Sequence, residues 1–120
     1  MQKVIKSNDL NKDLSDILMR IPHDKLFILT DDNTERLCFP LIQQNEQIAK
    51  AGKITIKSGD DNKNIEQLSA IWKYLSDNGA TRHSLLINLG GGMLTDIGGF
   101  AAASFKRGIK CINIPTTLLG

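Results

Sequence analysis

The 120-residue chain balances 15 Lys and Arg against 13 Asp and Glu, for a net charge of +2, with 41% hydrophobic and 23% charged residues. This is an ordinary globular composition with enough apolar residues for a sizeable core; no basic stripe interleaved with aromatics marks a nucleic-acid partner. No apolar run approaches the ~20 residues that span a bilayer, and the opening MQKVIKSNDL lacks the apolar stretch of a signal peptide. Cys38 and Cys111 lie far apart with no metal-ligand spacing, so the chain reads as a cytoplasmic protein with two buried free thiols.

Gln2 to Lys6 reads as a strand, and Leu10, Leu14, Ile17, Leu18 and Ile21 then recur at helical spacing. Lys25 to Thr30 is a second strand. A helical pattern follows from about Asn33 to Ala49, in which Pro40 must lie in a first turn or mark a break. Lys53 to Lys57 is a third strand. Ile65, Leu68, Ile71, Trp72 and Leu75 form the apolar face of the next helix, stopped by Asn78-Gly79. Two further strands, Ser84–Leu89 and Lys110–Ile114, flank a glycine-led helix. Residues 1–120 thus read as one α/β domain, a Rossmann-like and mostly parallel sheet with helices on both faces. Pro115 to Gly120 stops just past a strand, which reads as the front portion of a longer protein.

In such sheets ligands bind at the carboxyl ends of the strands, and the polar and glycine-rich clusters fall there. Gly90, Gly91 and Gly92 exceed the needs of a tight turn and allow another molecule to approach the backbone, while the helix behind them offers unpaired N–H groups. The G-x-G-x-x-G fingerprint and the Walker lysine are both absent, so this is a different phosphate cradle. Asp96, about one turn beyond, either complements the helix dipole or accepts hydrogen bonds from a ligand. Asp31 and Asn33 either cap a helix or meet a ribose hydroxyl. Asp60 and Lys63 sit in a polar loop that is either a solvated turn or part of the same cleft. Thr116 and Thr117 cap the next element or donate hydroxyls. Gly98 and Gly99, with Ala101–Ala103, suit close packing of the helix. Lys106 and Arg107 fall at its last turn, and Gly108 at its C-cap.

Three segments together carry a family likeness: Gly59-Asp60-Asp61-Asn62-Lys63, then Gly90-Gly91-Gly92 through Asp96, Gly99-Phe100 and Arg107-Gly108, then Pro115-Thr116-Thr117-Leu118-Leu119. In this order and spacing they resemble the N-terminal, NAD-binding part of the 3-dehydroquinate synthases of the shikimate pathway. Asp60 stands where that family usually has Glu. The resemblance implies that Asp31 and Asn33 lie at the adenosine side of NAD and that Asp60 and Lys63 line the same cleft. It further gives Gly90, Gly91 and Gly92 the pyrophosphate, Asp96 the nicotinamide end, and Thr116, Thr117 and Leu119 the rest of the cofactor site. Arg107 acquires a second reading, reaching the anionic substrate in a neighbouring subunit of a homodimer.

The implied activity is a carbon–oxygen lyase reaction, conversion of the sugar phosphate 3-deoxy-D-arabino-heptulosonate 7-phosphate to 3-dehydroquinate and phosphate for aromatic amino acid biosynthesis. NAD ends that cycle unchanged. A divalent metal, zinc or cobalt, is held by a helical C-terminal domain outside this chain, so the segment alone is expected to be inactive. Other NAD-dependent sugar-phosphate cyclases and the polyol dehydrogenases with a GGG-x-x-x-D loop are the nearest alternatives. A phospho-receiver signalling domain fits the length and alternation but requires an Asp ending the third strand, where Lys57-Ser58-Gly59 stands.

Overall fold

A computed structural model describes residues 2–4, 10–57 and 64–115. In chain order the elements are β1 (Gln2–Val4), α1 (Leu10–Arg20), β2 (Leu26–Asp31), α2 (Asp32–Leu37), a 3-10 turn (Phe39–Leu41), α3 (Glu46–Lys50), β3 (Gly52–Ile56), α4 (Asn64–Asp77), β4 (Leu85–Leu89), α5 (Gly92–Ser104) and β5 (Lys110–Ile114). The strands form one sheet in the order β1-β5-β4-β2-β3, with every neighbouring pair parallel. The α/β, Rossmann-like reading therefore holds, and the sheet is parallel throughout its described strands.

The central strands are apolar on both faces because helices cover both. Leu85, Ile87 and Leu89 of β4 pack with Leu14 and Leu18 of α1, Ile48 of α3 and Ile112 and Ile114 of β5. Leu86 faces the other way, with Ile71 and Leu75 of α4 and Leu94, Ala101 and Ala102 of α5. This is the pattern of a doubly covered parallel sheet, whose strands read as continuous apolar runs rather than alternating ones.

The helix expected over Asn33–Ala49 is broken into α2, the 3-10 turn and α3. Pro40 sits at the start of the 3-10 turn; it has no N–H to donate and its ring would collide with the carbonyl four residues back, at Arg36. Asn45 restarts the helix, accepting from the Gln47 and Ile48 backbone N–H groups while its amide donates to Asn11 and Ser15 of α1. Ile65, expected in the core, is 80% exposed at the outer end of α4. Cys38 is half-buried rather than buried; Cys111 is buried, and neither is in a disulfide among the described residues. Burial, then the charge of Asp31, pushes the Cys38 thiol pKa up. No helix among the described residues is long and apolar enough to cross a membrane.

The carboxyl end of α5 also differs from expectation. The helix ends at Ser104 with Phe105 as its C-cap, so Lys106 and Arg107 lie beyond its last turn. Lys106 itself takes a left-handed φ of 53°, and Gly108 one of 97°. Arg107 is therefore not a helix-end cation; it is an exposed turn residue.

Candidate functional site

From β2 the chain moves outward to β3 on one side, and from β4 it moves outward to β5 on the other. The crevice between the carboxyl ends of β2 and β4 is thus a topological switch point, the place where open parallel sheets bind ligands. Leu29 pairs with Asn88 in register, so Asp31 and Gly90-Gly91 emerge side by side just above. A cleft of about 120 Å³ opens there, with Asp31, Lys57, Gln67, Gly91, Met93 and Ile97 among its walls. It adjoins a larger groove of about 360 Å³ between α4 and α5, lined by Ile65, Leu68, Met93, Asp96, Ile97 and Phe100. Met93 and Ile97 belong to both.

The three glycines divide by what a side chain would meet. At Gly90 an added Cβ would land 2.4 Å from Leu94 Cδ2, so this residue lets α5 fold tightly over its own strand. Gly90 also donates its N–H to Ile114 O at 3.1 Å, continuing the ladder to β5. At Gly91 and Gly92 an added Cβ would meet nothing within 4 Å among the described residues. Gly91 has φ −81° and ψ −170°, extended backbone that any residue adopts. Among the described residues, neither packing nor backbone conformation explains a missing side chain at Gly91, and the space in front of it is open to a ligand. Gly91 is also the N-cap of α5, and no side chain of the described residues caps that end, so the opening N–H groups of the helix are directed into the same space.

Asp31 closes the opposite wall. Its side chain accepts from Thr34 N at 2.8 Å while its own N–H donates to Thr34 Oγ1 at 2.9 Å, a reciprocal box that starts α2. Both readings of Asp31 coexist geometrically, since one carboxylate oxygen caps the helix and the residue still lines the cleft. Asn33 lies on the first turn of α2, where its amide oxygen accepts from Arg36 at 3.4 Å. Asp96 is the fifth residue of α5, exposed and facing the α4–α5 groove. It stands one turn too deep to cap the helix.

Gly98 is a packing residue, as its sequence setting suggested: a Cβ there would strike the Asn88 amide. Arg107 is at the far end of α5, beside the amino end of β5, away from the crevice. Asp60, Lys63, Thr116, Thr117 and Leu119 lie outside the described residues. Lys57, Gln67 and Met93 were not singled out from the sequence. Lys57 follows the last residue of β3 and carries a cation to the cleft edge, and Gln67 reaches back from α4 to donate to Lys57 O at 2.7 Å. A polar residue immediately after a strand was the available signal for Lys57.

A more voluminous cleft, about 520 Å³, lies at the amino ends of β2 and β3, with His23, Lys25, Gln47, Lys50 and Asn78 in its wall. It is open, and Lys25 is already engaged with Gly79 O. Chemistry converges at the smaller cleft, which joins a helix N-terminus, two open glycines and a carboxylate.

Residues 53–120 match the family model for the N-terminal part of 3-dehydroquinate synthase. The chain is 53% identical over 118 residues to 3-dehydroquinate synthase of Parabacteroides distasonis, covering 98% of this chain and 33% of that protein. It is 40% identical over 116 residues to 3-dehydroquinate synthase of Clostridium acetobutylicum, covering 93% of this chain and 31% of that protein. The chain therefore spans about a third of the length of these curated relatives. Among solved structures, 2-deoxy-scyllo-inosose synthase in complex with carbaglucose-6-phosphate, NAD⁺ and Co²⁺ aligns with TM-score 0.77 at 18% identity, over 96% of this chain and 31% of that one. The 2-epi-5-epi-valiolone synthase of Streptomyces hygroscopicus, with NAD⁺ and Zn²⁺ bound, aligns with TM-score 0.74 at 21% identity, over 97% of this chain and 32% of that one. At these identities the likeness is one of fold.

Proposed function

The chain belongs to the 3-dehydroquinate synthase family, and we propose that it is the NAD-binding N-terminal part of an enzyme converting 3-deoxy-D-arabino-heptulosonate 7-phosphate to 3-dehydroquinate and phosphate. The observation that carries the cofactor assignment is the pair Gly91 and Gly92, where a Cβ would meet nothing among the described residues, at the N-terminus of a helix that none of their side chains caps. A dinucleotide pyrophosphate fits that cradle because it is anionic and must approach backbone N–H groups closely.

In this reading Gly91 and Gly92 hold the pyrophosphate and Asp31 accepts from the adenosine ribose. Asn33 and the loop residues Asp60 and Lys63 border that side. Asp96 accepts from the nicotinamide side, in the groove that Met93 and Ile97 make continuous with the crevice. Gly90, Thr116, Thr117 and Leu119 complete the cradle. When bound, NAD⁺ supplies reversible hydride acceptance at a ring hydroxyl of the sugar phosphate, with no net change in the cofactor. The chain's own residues bind and orient; the acid–base groups and the ligands of the divalent metal, zinc or cobalt, belong to a helical domain beyond it. Cys38 and Cys111, neither in a disulfide among the described residues, fit a reducing cytoplasm.

Arg107 lies far from the cradle of its own chain. It lies beyond the end of the 13-residue α5, whose N-terminus forms the cradle, and at about 1.5 Å per residue that is a separation of about 20 Å. It makes no ion pair among the described residues. A planar, permanently charged guanidinium left exposed suits an anionic substrate in a neighbouring subunit of a homodimer.

The test is an assay of the full-length protein carrying this segment. With 3-deoxy-D-arabino-heptulosonate 7-phosphate it should release phosphate, and removal of NAD⁺ should abolish that release. Inactivity on this substrate, with turnover of a different sugar phosphate, would assign it to another cyclase.

A further inference from the structure

The strands β4 and β5 each interrupt an apolar run with one asparagine, Asn88 in LLINL and Asn113 in KCINI. The sheet register places the two opposite each other, and Asn88 Nδ2 donates to Asn113 Oδ1 at 3.0 Å. Asn88 is fully buried and Asn113 is 8% exposed. Among the described residues the Asn88 Oδ1 atom has no hydrogen-bond partner. A buried, unpaired carbonyl oxygen is costly, and a leucine would fill such a position without that cost.

The unpaired oxygen is pressed against the backbone of α5. A Cβ built at Gly98 would lie 2.0 Å from Asn88 Oδ1 and 2.4 Å from its Cγ, so the amide occupies the place a helix side chain would take. Gly98 costs helix propensity, and its φ is not left-handed; the amide is what requires it. Directly above this pair, Gly90 N donates to Ile114 O, and the two strands then release the glycine run and Pro115. The Asn88 amide therefore touches both supports of the cradle: it joins β4 to β5 just below the loops and sets how deeply α5 sits on the sheet.

We propose that Asn88, with Asn113 and Gly98, is a positioning residue for the dinucleotide cradle, fixing the start of α5 relative to the carboxyl ends of β4 and β5. The inference rests on the cofactor reading given above. Asn88 does not touch the ligand; it acts through the placement of Gly91 and Gly92.

The experiment measures NAD⁺ affinity by calorimetry, together with the melting temperature, in the full-length protein. Three variants are compared with the wild type: Asn88→Ala, Asn88→Ala/Gly98→Ala and Asn113→Ala. In the double variant the alanine methyl at 98 refills part of the space the amide leaves, so packing and positioning are separated. The expected result is recovery of most of the melting temperature lost in Asn88→Ala, with NAD⁺ affinity still at least tenfold below wild type. Asn113→Ala, which leaves the Gly98 contact in place, should also bind several-fold more weakly. Wild-type affinity in the folded double variant, or in Asn113→Ala if the double variant does not fold, overturns the inference alone. A wild type that fails to bind NAD⁺ overturns the cofactor reading and this inference with it.

Discussion

Asp31 and Thr34 cap α2 reciprocally, each side chain bonded to the other's backbone N–H, at 2.8 and 2.9 Å. The proposed ribose acceptor is thus held rigid by the helix that it starts. Asparagine is as good an N-cap as aspartate, so Asp31→Asn keeps the box and removes only the charge. We expect that variant to melt like wild type and to bind NAD⁺ at least several-fold more weakly, whereas Asp31→Ala should also lose about 1 kcal/mol of stability. Equal NAD⁺ affinity in Asp31→Asn would reduce Asp31 to a helix cap.

For Arg107 the separation from the cradle makes a trans test decisive. Arg107→Lys keeps the charge but not the planar fork, and both Arg107→Lys and Arg107→Ala should lower turnover with little change in melting temperature. Mixing full-length Arg107→Ala subunits with Gly91→Val subunits should restore measurable activity, because one site in each mixed dimer then has both an intact cradle and an arginine. Full activity of Arg107→Lys, with no recovery on mixing, would leave Arg107 as a solvated turn residue.

The fold was legible because its strands are buried on both faces. Runs such as LFILT and LLINL have no other comfortable reading, and the glycine run between β4 and α5 marked the crevice correctly. What depended on tertiary placement was hidden. The three glycines look alike in sequence, yet only Gly90 has Leu94 within reach of an added Cβ. Lys106 and Arg107 read as helix-end cations because Gly108 has the place of a C-cap, but Phe105 already turns to extended backbone and Lys106 to a left-handed φ, so the helix stops at Ser104. Ile65 has helical spacing with Leu68 and Ile71, but it lies at the end of α4 that overhangs the groove. The pairing of Asn88 with Asn113 needed the register of two strands that are distant in sequence.

A separate prediction concerns the amino end of the sheet. The Asp24 carboxylate accepts from the hydroxyls of Thr81 and Ser84, and its pKa is lowered, chiefly by the Thr81 hydrogen bond. A depressed carboxylate pKa stabilises the fold above its unfolded value and loses that contribution as pH falls through the folded pKa. Thr81→Val should therefore lower stability at neutral pH by a modest amount, since the site is exposed. The gap from wild type should narrow in acid denaturation. NAD⁺ affinity should not change, because this knot lies at the opposite end of the strands from the crevice. A gap independent of pH would show that Asp24 draws nothing from Thr81.

The most direct test is the NAD⁺ dissociation constant of Gly91→Val measured beside its melting temperature. A Cβ at Gly91 meets no atom of the described residues within 4 Å, and the backbone there is ordinary extended structure, so the main cost of valine to the fold is the loss of glycine at a helix N-cap. We predict a melting temperature close to that of wild type and NAD⁺ binding weakened by at least tenfold. Wild-type affinity in a folded Gly91→Val protein would contradict the assignment of this crevice to the cofactor.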